Sequence, residues 1–199
     1  MQKWLHVAGA ATLLSFSVAC SQSRQQSSEQ SNQSTPTEQA VSAAKEAEQE
    51  MEGFAIALAP TKDNIATGTV MLMSMGDGVH FSGIISGLTP GPHGLHVHVN
   101  GDCSAPDASS AGGHFNPDNA AHGAPNATPH QAGDLGNIIA GADGRAEINI
   151  HANGVSLDKG NYSISGRALI VHTDADDLTT QPTGNAGARL ACGVIKAAN

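Results

Sequence analysis

The sequence is poor in aromatic and charged side chains. It has four Phe, one Tyr and one Trp in 199 residues, and charged residues make up only 14%. A long charged helical bundle is therefore disfavoured. The 23 glycines instead favour short strands joined by tight turns.

Basic residues are scarce, with nine Lys and Arg against 18 Asp and Glu, which gives a formal charge of −9. Nucleic acid is excluded as an expected partner, because phosphate binding needs a basic face. Away from the N-terminus, no apolar run is long enough for a membrane-spanning helix.

The N-terminus has the pattern of a signal peptide over residues 1–19, with Lys3 followed by an apolar stretch. It ends in Ser17-Val18-Ala19-Cys20, which resembles a bacterial lipobox, where the cysteine is lipidated and becomes the mature N-terminus. This predicts an exported protein, lipid-anchored through Cys20 on the periplasmic or cell-surface side of a bacterial membrane. An ordinary secretory signal is the alternative, and it also predicts export.

The rest of the chain divides into a tether and one domain. Residues 20–51 are rich in Gln, Ser and Glu and cannot bury enough apolar surface to offset the entropy of folding. Residues 52–199 form the predicted domain. It holds two cysteines, Cys103 and Cys192, and in an exported protein this pair suggests one disulfide.

Short alternating segments indicate an all-β domain of seven or eight strands, arranged as a sandwich or a flattened barrel. Asp77-Gly78 and Asp143-Gly144 mark two hairpins. The predicted strands are residues 54–59, 66–74, 79–86, 95–99, 137–140, 145–151, 162–172 and 190–196. Residues 100–133 show no strand pattern, and a loop of that length in a compact domain is functional or disordered.

Histidines at suggestive spacings point to metal binding. His96 and His98 alternate with apolar residues, so both side chains share one face of a strand. A surface histidine pair would give the same pattern. The long loop adds three more histidines and a carboxylate, a donor set that suits zinc or copper. These residues are His114, His122, His130 and Asp134.

Five motifs resemble, in order, those of copper/zinc superoxide dismutases, and the resemblance covers residues 53–196. The motifs are GLHVHVNGDC, GGHFNPDNAAHGAP, HQAGDLGNI, HTDADDL and GNAGARLACGVI. The resemblance implies an eight-stranded Greek-key β-barrel, flattened and immunoglobulin-like, with long metal-binding and active-site loops. It also implies dismutation of superoxide to oxygen and hydrogen peroxide by a redox-cycling copper with a structural zinc.

The resemblance also assigns residues. The implied copper ligands are His96, His98, His114 and His172. The implied zinc ligands include the bridging His114 together with His122 and Asp134. Asp176 matches a carboxylate that links histidines of the two sites, and Arg189 matches an arginine that attracts the anionic substrate. Cys103 and Cys192 match the intrachain disulfide.

One position departs from the family pattern. The remaining zinc histidine is expected three residues before Asp134, where this sequence has Gln131, and His130 lies one residue earlier. Because Gly133 can adopt backbone angles that other residues avoid, a one-residue bulge could turn His130 inward. We therefore predict His130 as the fourth zinc ligand, with Gln131 as the alternative.

Two other functions fit parts of this pattern. A non-catalytic copper- or zinc-binding lipoprotein on the same fold would be favoured by a missing copper ligand, and none of the four is missing. A copper-delivery protein would be favoured by a CxxC-type transfer site, which the sequence does not have. A homodimer is compatible with the sequence, which shows no aromatic-rich interface.

The lipobox yields a direct prediction. Cys20→Ser removes the lipidated thiol, so the variant should be exported as a soluble protein or accumulate as an unprocessed precursor. Fractionation of cells and immunoblotting measure this outcome. Wild-type protein that is already fully soluble after export would contradict the lipid anchor.

Overall fold

The computed structural model describes residues 53–196, which form eight strands and one short 3-10 helix. The strands are β1 (Gly53–Pro60), β2 (Thr67–Met75), β3 (Gly78–Ser86), β4 (Gly91–His98), β5 (Asp134–Ala140), β6 (Arg145–Asn153), β7 (Ala168–His172) and β8 (Arg189–Val194). The 3-10 helix is Ser109–Ala111. The predicted signal peptide, Cys20 and the tether lie outside the described residues. Within 53–196, no helix is long and apolar enough to cross a membrane.

The strands close into an antiparallel barrel in the order β1-β2-β3-β6-β5-β4-β7-β8. After β3 the chain crosses to β4, and β4, β5 and β6 then lie side by side so that β6 returns to pair with β3, which is a Greek-key arrangement. The prediction of an all-β, eight-stranded barrel is confirmed. Both predicted hairpin turns join strands, Asp77-Gly78 between β2 and β3 and Asp143-Gly144 between β5 and β6.

The apolar core fills the barrel through strand alternation. In β2, Val70 and Leu72 are fully buried, whereas Met71 between them is exposed. In β3, Val79 and Phe81 are buried in the same cluster. Alternate side chains of each strand therefore face the core, as the sequence pattern predicts.

β4 carries the core on one face and the histidines on the other. Leu95 and Val97 belong to the apolar core, while His96 and His98 are buried on the opposite side of the strand. Val99 is a correction to the predicted pattern, because it lies beyond the strand and is 42% exposed.

Two strand boundaries differ from prediction by four residues or more. β4 begins at Gly91, before the predicted start at residue 95. Pro92 is tolerated there because it pairs only with β5, whereas β7 joins from Leu95 onward. The predicted strand over 162–172 is shortened to β7 because Arg167 N–H donates to Ile164 O and closes a turn before it.

The long loop of residues 99–133 is fixed to β4 by its own backbone. Phe115 N–H donates to Val97 O at 2.8 Å, and Val97 N–H donates to Gly133 O at 2.9 Å. A Cβ on Gly133 would clash with the Val97 carbonyl oxygen, so this position needs glycine for close approach. The Phe115 ring is buried in the core, with the Arg167 guanidinium 3.5 Å from its centroid.

A disulfide joins the start of this loop to the last strand. Cys103 and Cys192 are bonded, with Cα atoms 5.8 Å apart, as predicted. The bond lies beside a small apolar cluster that includes Ala108, Ala111 and Ile170. It therefore holds the 3-10 helix segment against β7 and β8.

Removal of this bond should destabilise the protein. The two cysteines are 89 residues apart, and the chain-entropy model assigns about 4–5 kcal/mol to a loop of that length. The double variant Cys103→Ala/Cys192→Ala should lower the free energy of unfolding by that order, measured by urea denaturation of the metal-free protein. The Cys20→Ala variant is the matched control and should unfold like the wild type. Equal stability of the double variant would show that the bond does not stabilise the fold.

Candidate metal centre

Four buried histidines from three parts of the fold meet at one point. His96 and His98 come from β4, His114 from the long loop, and His172 from the end of β7. Each offers a ring nitrogen, and these nitrogens all lie within 4.8 Å of one another. His114 is held beside β4 because it forms a β-bridge with His98.

Each of three rings has its second nitrogen fixed by a partner. His98 Nδ1–H donates to Gly112 O at 2.9 Å, and His172 Nδ1–H donates to Gly187 O at 3.3 Å. His96 Nε2–H donates to Asp176 Oδ2 at 2.8 Å. Since a carbonyl oxygen can only accept, these bonds set the tautomers of His98 and His172 and leave Nε2 of each ring as a lone-pair donor.

The remaining nitrogens fit a metal ion. His96 Nδ1 and His114 Nε2 are buried and have no hydrogen-bond partner, and buried polar atoms ordinarily have one. His98 Nε2 and His172 Nε2 lie only 3.3 Å apart. Four converging imidazole nitrogens are a donor set that suits copper.

The surroundings keep these imidazoles neutral, as metal ligation requires. Burial lowers the pKa of His98 to about 2 and that of His172 to about 3. The positive charge of Arg189 adds to the lowering of both pKa values. Burial also lowers the pKa of His96.

A second cluster shares His114 with the first. His114 Nδ1 and His122 Nδ1 each lie 3.0 Å from Asp134 Oδ1, and the three residues are buried. Two imidazole nitrogens and a carboxylate oxygen are donors that suit zinc. His114 thus points Nε2 at the copper ligands and Nδ1 at the zinc ligands, which is the geometry of a bridging imidazole.

The Asp176 carboxylate lies between the two clusters. Its Oδ2 accepts from His96 Nε2 and its Oδ1 accepts from His122 Nε2, both at 2.8 Å. Asn137 holds the main chain of Asp176, because Asn137 Oδ1 accepts from Asp176 N–H and Asn137 Nδ2 donates to Asp176 O. A Cβ on Gly184 would overlap Asp176 Oδ1, and its φ of +64° is also best suited to glycine.

His130 is not part of the zinc cluster in the structure, contrary to the prediction. Its Nδ1 is 2.7 Å from Ala127 O, and its side chain is partly exposed. The bulge that would have turned it inward is absent. Instead, Asp134 N–H donates to Gln131 O in a turn, and Gln131 is the residue buried beside Asp134.

Arg189 lies at the start of β8, within reach of the copper cluster. Its guanidinium donates to Ala108 O through Nη1 and to Gly112 O through Nη2, both at 2.5 Å. Gly112 O is also the acceptor for His98 Nδ1. The arginine and a copper ligand are therefore fixed by the same carbonyl group.

Three supporting residues were missed by the sequence reasoning. Asn137 holds Asp176, and Gln181 brackets the main chain of His122 through bonds to both its N and O. His93 is buried in β4, and its Nδ1–H donates to His172 O at 2.7 Å. Of these, only Asn137 gives a signal in the sequence, as a polar residue at the first position of the predicted strand over 137–140.

Comparisons with known proteins agree with this geometry. The family model described as copper/zinc superoxide dismutase (SODC) matches residues 66–195. "Superoxide dismutase [Cu-Zn] 2" of Mesembryanthemum crystallinum is 46% identical over 140 residues, which cover 67% of this chain and 88% of the relative. "Superoxide dismutase [Cu-Zn] 3" of Arabidopsis thaliana is 45% identical over 147 residues, covering 71% of this chain and 88% of the relative.

An animal relative and a solved structure extend the likeness. "Extracellular superoxide dismutase [Cu-Zn]" of Brugia pahangi is 45% identical over 150 residues, covering 71% of this chain and 74% of the relative. The structure titled "Crystal Structure Analysis of the clock protein EA4" superposes with a TM-score of 0.63 at 40% identity. The match covers 70% of this chain and 91% of that one.

The chain belongs to the copper/zinc superoxide dismutase family. The copper ligands His96, His98, His114 and His172 and the zinc ligands His122 and Asp134 are all present, with His114 bridging. The protein is therefore a superoxide dismutase with intact metal sites, which converts two superoxide ions and two protons to oxygen and hydrogen peroxide.

The lowered histidine pKa values predict acid sensitivity of the metal-free protein. Below pH 6.5, His98 and His172 take up protons in the unfolded chain but stay neutral in the folded protein until about pH 2 and 3. Unfolding therefore binds protons, and the free energy of unfolding should fall between pH 6 and pH 4. The slope is about 1.4 kcal/mol per pH unit for each proton bound.

Urea denaturation of the metal-free protein at several pH values measures this fall. His122 does not cancel it, because its pKa is raised and it is protonated in both states below pH 6. The His151→Ala variant, which changes an exposed histidine, is the control and should show the same slope. A free energy of unfolding that is flat from pH 6 to pH 4 would contradict the interpretation.

Proposed function

We propose that this dismutase works outside the cytoplasm of a bacterium, tethered to a membrane by lipid on Cys20, with Arg189 attracting superoxide to the copper site. The main observation in support of catalysis is the position of the His114 ring, because one of its nitrogens faces the buried copper ligands and the other faces the buried zinc ligands. When bound, copper alternates between Cu(II) and Cu(I), so one site can both oxidise and reduce superoxide.

The residues around the metals divide the remaining work. His114 Nε2 is the atom at which a proton can be held and released during the cycle, because its Nδ1 faces the zinc ligands throughout. Asp176 acts as a positioning residue. It fixes the ring of His96 in one cluster and that of His122 in the other.

Arg189 supplies the positive charge that an anionic substrate needs. The whole chain carries a formal charge of −9, which disfavours the approach of an anion. A guanidinium held beside two metal ions makes the local potential positive. Both hydrogen bonds of Arg189 go to main-chain carbonyls, and no carboxylate within residues 53–196 forms a salt bridge with it.

Export is supported by the disulfide and by the sequence pattern of the N-terminus. Disulfides persist in oxidising compartments and are rare in the cytoplasm. One relative is described as extracellular. The proposal keeps residues 1–19 as signal peptide, 20–51 as lipidated tether and 52–199 as the dismutase domain.

The exposed apolar surface of the domain is compatible with a homodimer. Three exposed isoleucines, Ile65, Ile84 and Ile139, offer apolar surface on a loop, on β3 and on β5. Sedimentation velocity of the metal-loaded protein measures the state directly. The non-catalytic alternative is disfavoured because all four copper histidines converge.

The role of Arg189 makes a prediction about rate and salt. Arg189→Ala removes the charge, so superoxide turnover should fall by about tenfold or more, within the range of electrostatic steering. Electrostatic attraction makes superoxide turnover faster at low ionic strength, and this salt dependence should be weaker in the variant. The copper content should stay unchanged. A superoxide-decay assay over a series of salt concentrations, with metal analysis of the same samples, measures both.

Arg189→Lys is the matched control, since it keeps the charge but loses the paired bonds to Ala108 O and Gly112 O. It should retain most of the salt dependence. Loss of copper together with activity in Arg189→Ala would make the arginine a structural residue. Absence of dismutation by the metal-loaded wild type would refute the proposed function itself.

A further inference from the structure

Three buried side-chain atoms lack a hydrogen-bond partner within residues 53–196, and all three lie at the metal centre. They are His96 Nδ1, His114 Nε2 and Gln131 Oε1. The first two are the atoms that face the copper site. The third belongs to Gln131, a buried residue beside the zinc cluster that is not among the metal ligands described above.

The main chain places Gln131 against the zinc ligands. Gln131 N–H donates to Asp134 Oδ2 at 2.9 Å, and Asp134 N–H donates back to Gln131 O at 3.0 Å. The other oxygen of that carboxylate, Oδ1, faces His114 Nδ1 and His122 Nδ1. Gln131 N–H therefore binds one oxygen of the Asp134 carboxylate, and the other oxygen of that carboxylate faces both zinc histidines.

The side-chain amide is oriented by a second anchor. Gln131 Nε2 donates to Pro182 O at 3.2 Å, and the residue is only 6% exposed. The neighbouring Gln181 is bonded to the main chain of His122, so the Pro182 segment is itself fixed to a zinc ligand. With Nε2 held on that segment, Oε1 is left buried without a donor, and a cation is a partner that would satisfy it.

We propose that Gln131 is the fourth protein ligand of the zinc ion, through Oε1, where the family pattern has an imidazole. This rests on the proposed metal centre and deepens it. A zinc site with His114, His122, Asp134 and a neutral amide oxygen has four protein donors, which is the number that structural zinc prefers. An amide oxygen is a weaker donor to zinc than an imidazole nitrogen, so the site binds zinc less tightly than a site with three histidines.

The test measures zinc affinity of the full chain by competition with a chromophoric chelator. Gln131→Ala should lower the affinity by at least about tenfold, since even residues that only orient a ligand cost about 10–100-fold. Gln131→His should raise it, because it supplies an imidazole. His130→Ala is the matched control and should leave it unchanged.

Gln131→Glu separates ligation from a purely structural role. It keeps an oxygen at the same place but loses the N–H that bonds Pro182 O. A ligand role predicts zinc affinity equal to the wild type or higher, whereas a role limited to tethering the loop predicts a loss. Visible absorption of the Co(II)-substituted site adds a readout of coordination, and its bands should shift in Gln131→Ala and Gln131→His but not in His130→Ala.

The failure of this inference differs from failure of the proposed function. If Gln131→Ala binds zinc as tightly as the wild type, or if His130→Ala loses zinc instead, the amide is not a ligand. Superoxide decay by the metal-loaded wild type, measured in parallel, reports on the function alone. An active wild type with an unaffected Gln131→Ala variant overturns only the inference about Gln131.

Discussion

The buried carboxylate of Asp176 is the constraint on which the geometry of both metal clusters depends. It accepts one hydrogen bond from His96 and one from His122, so each cluster has a ring whose orientation is set by the same group. A buried carboxylate is costly unless its hydrogen bonds are satisfied. The backbone N–H of Leu178 donates a further bond to Asp176 Oδ1, and Gly184 leaves the space for it. Asn137 holds the main chain of Asp176 through bonds to its N–H and its carbonyl oxygen.

The rest of the fold brings distant segments to this carboxylate. β4 supplies two histidines because its alternation sends apolar side chains into the core and imidazoles to the other face. The long loop is fixed to the same strand by backbone hydrogen bonds around Val97. A rigid barrel thus carries irregular loops whose order comes from polar contacts, which explains why most of the supporting residues are not apolar.

Much of the fold and site could be predicted from the sequence. Strict alternation around His96 and His98 placed them on one face, and the glycine-marked turns identified both hairpins. The boundary of β7 could not be predicted, because residues 162–167 alternate like a strand. In the fold they form a turn instead, and Ile164 N–H and Gly166 N–H donate to the distant Ser156 O and Ile195 O. The placement of His130 was wrong for a similar reason. Gly133 suggested a flexible bulge, whereas close packing against Val97 is what requires glycine there.

The Gly112 carbonyl oxygen accepts hydrogen bonds from both Arg189 and His98. It belongs to a segment that the Cys103–Cys192 bond fastens to β8. The positions of the Arg189 guanidinium and of the copper ligand His98 are thus both tied to a covalent bond of the kind that persists in oxidising compartments. The disulfide therefore restrains, through this segment, the one carbonyl group that positions both a guanidinium and a copper ligand.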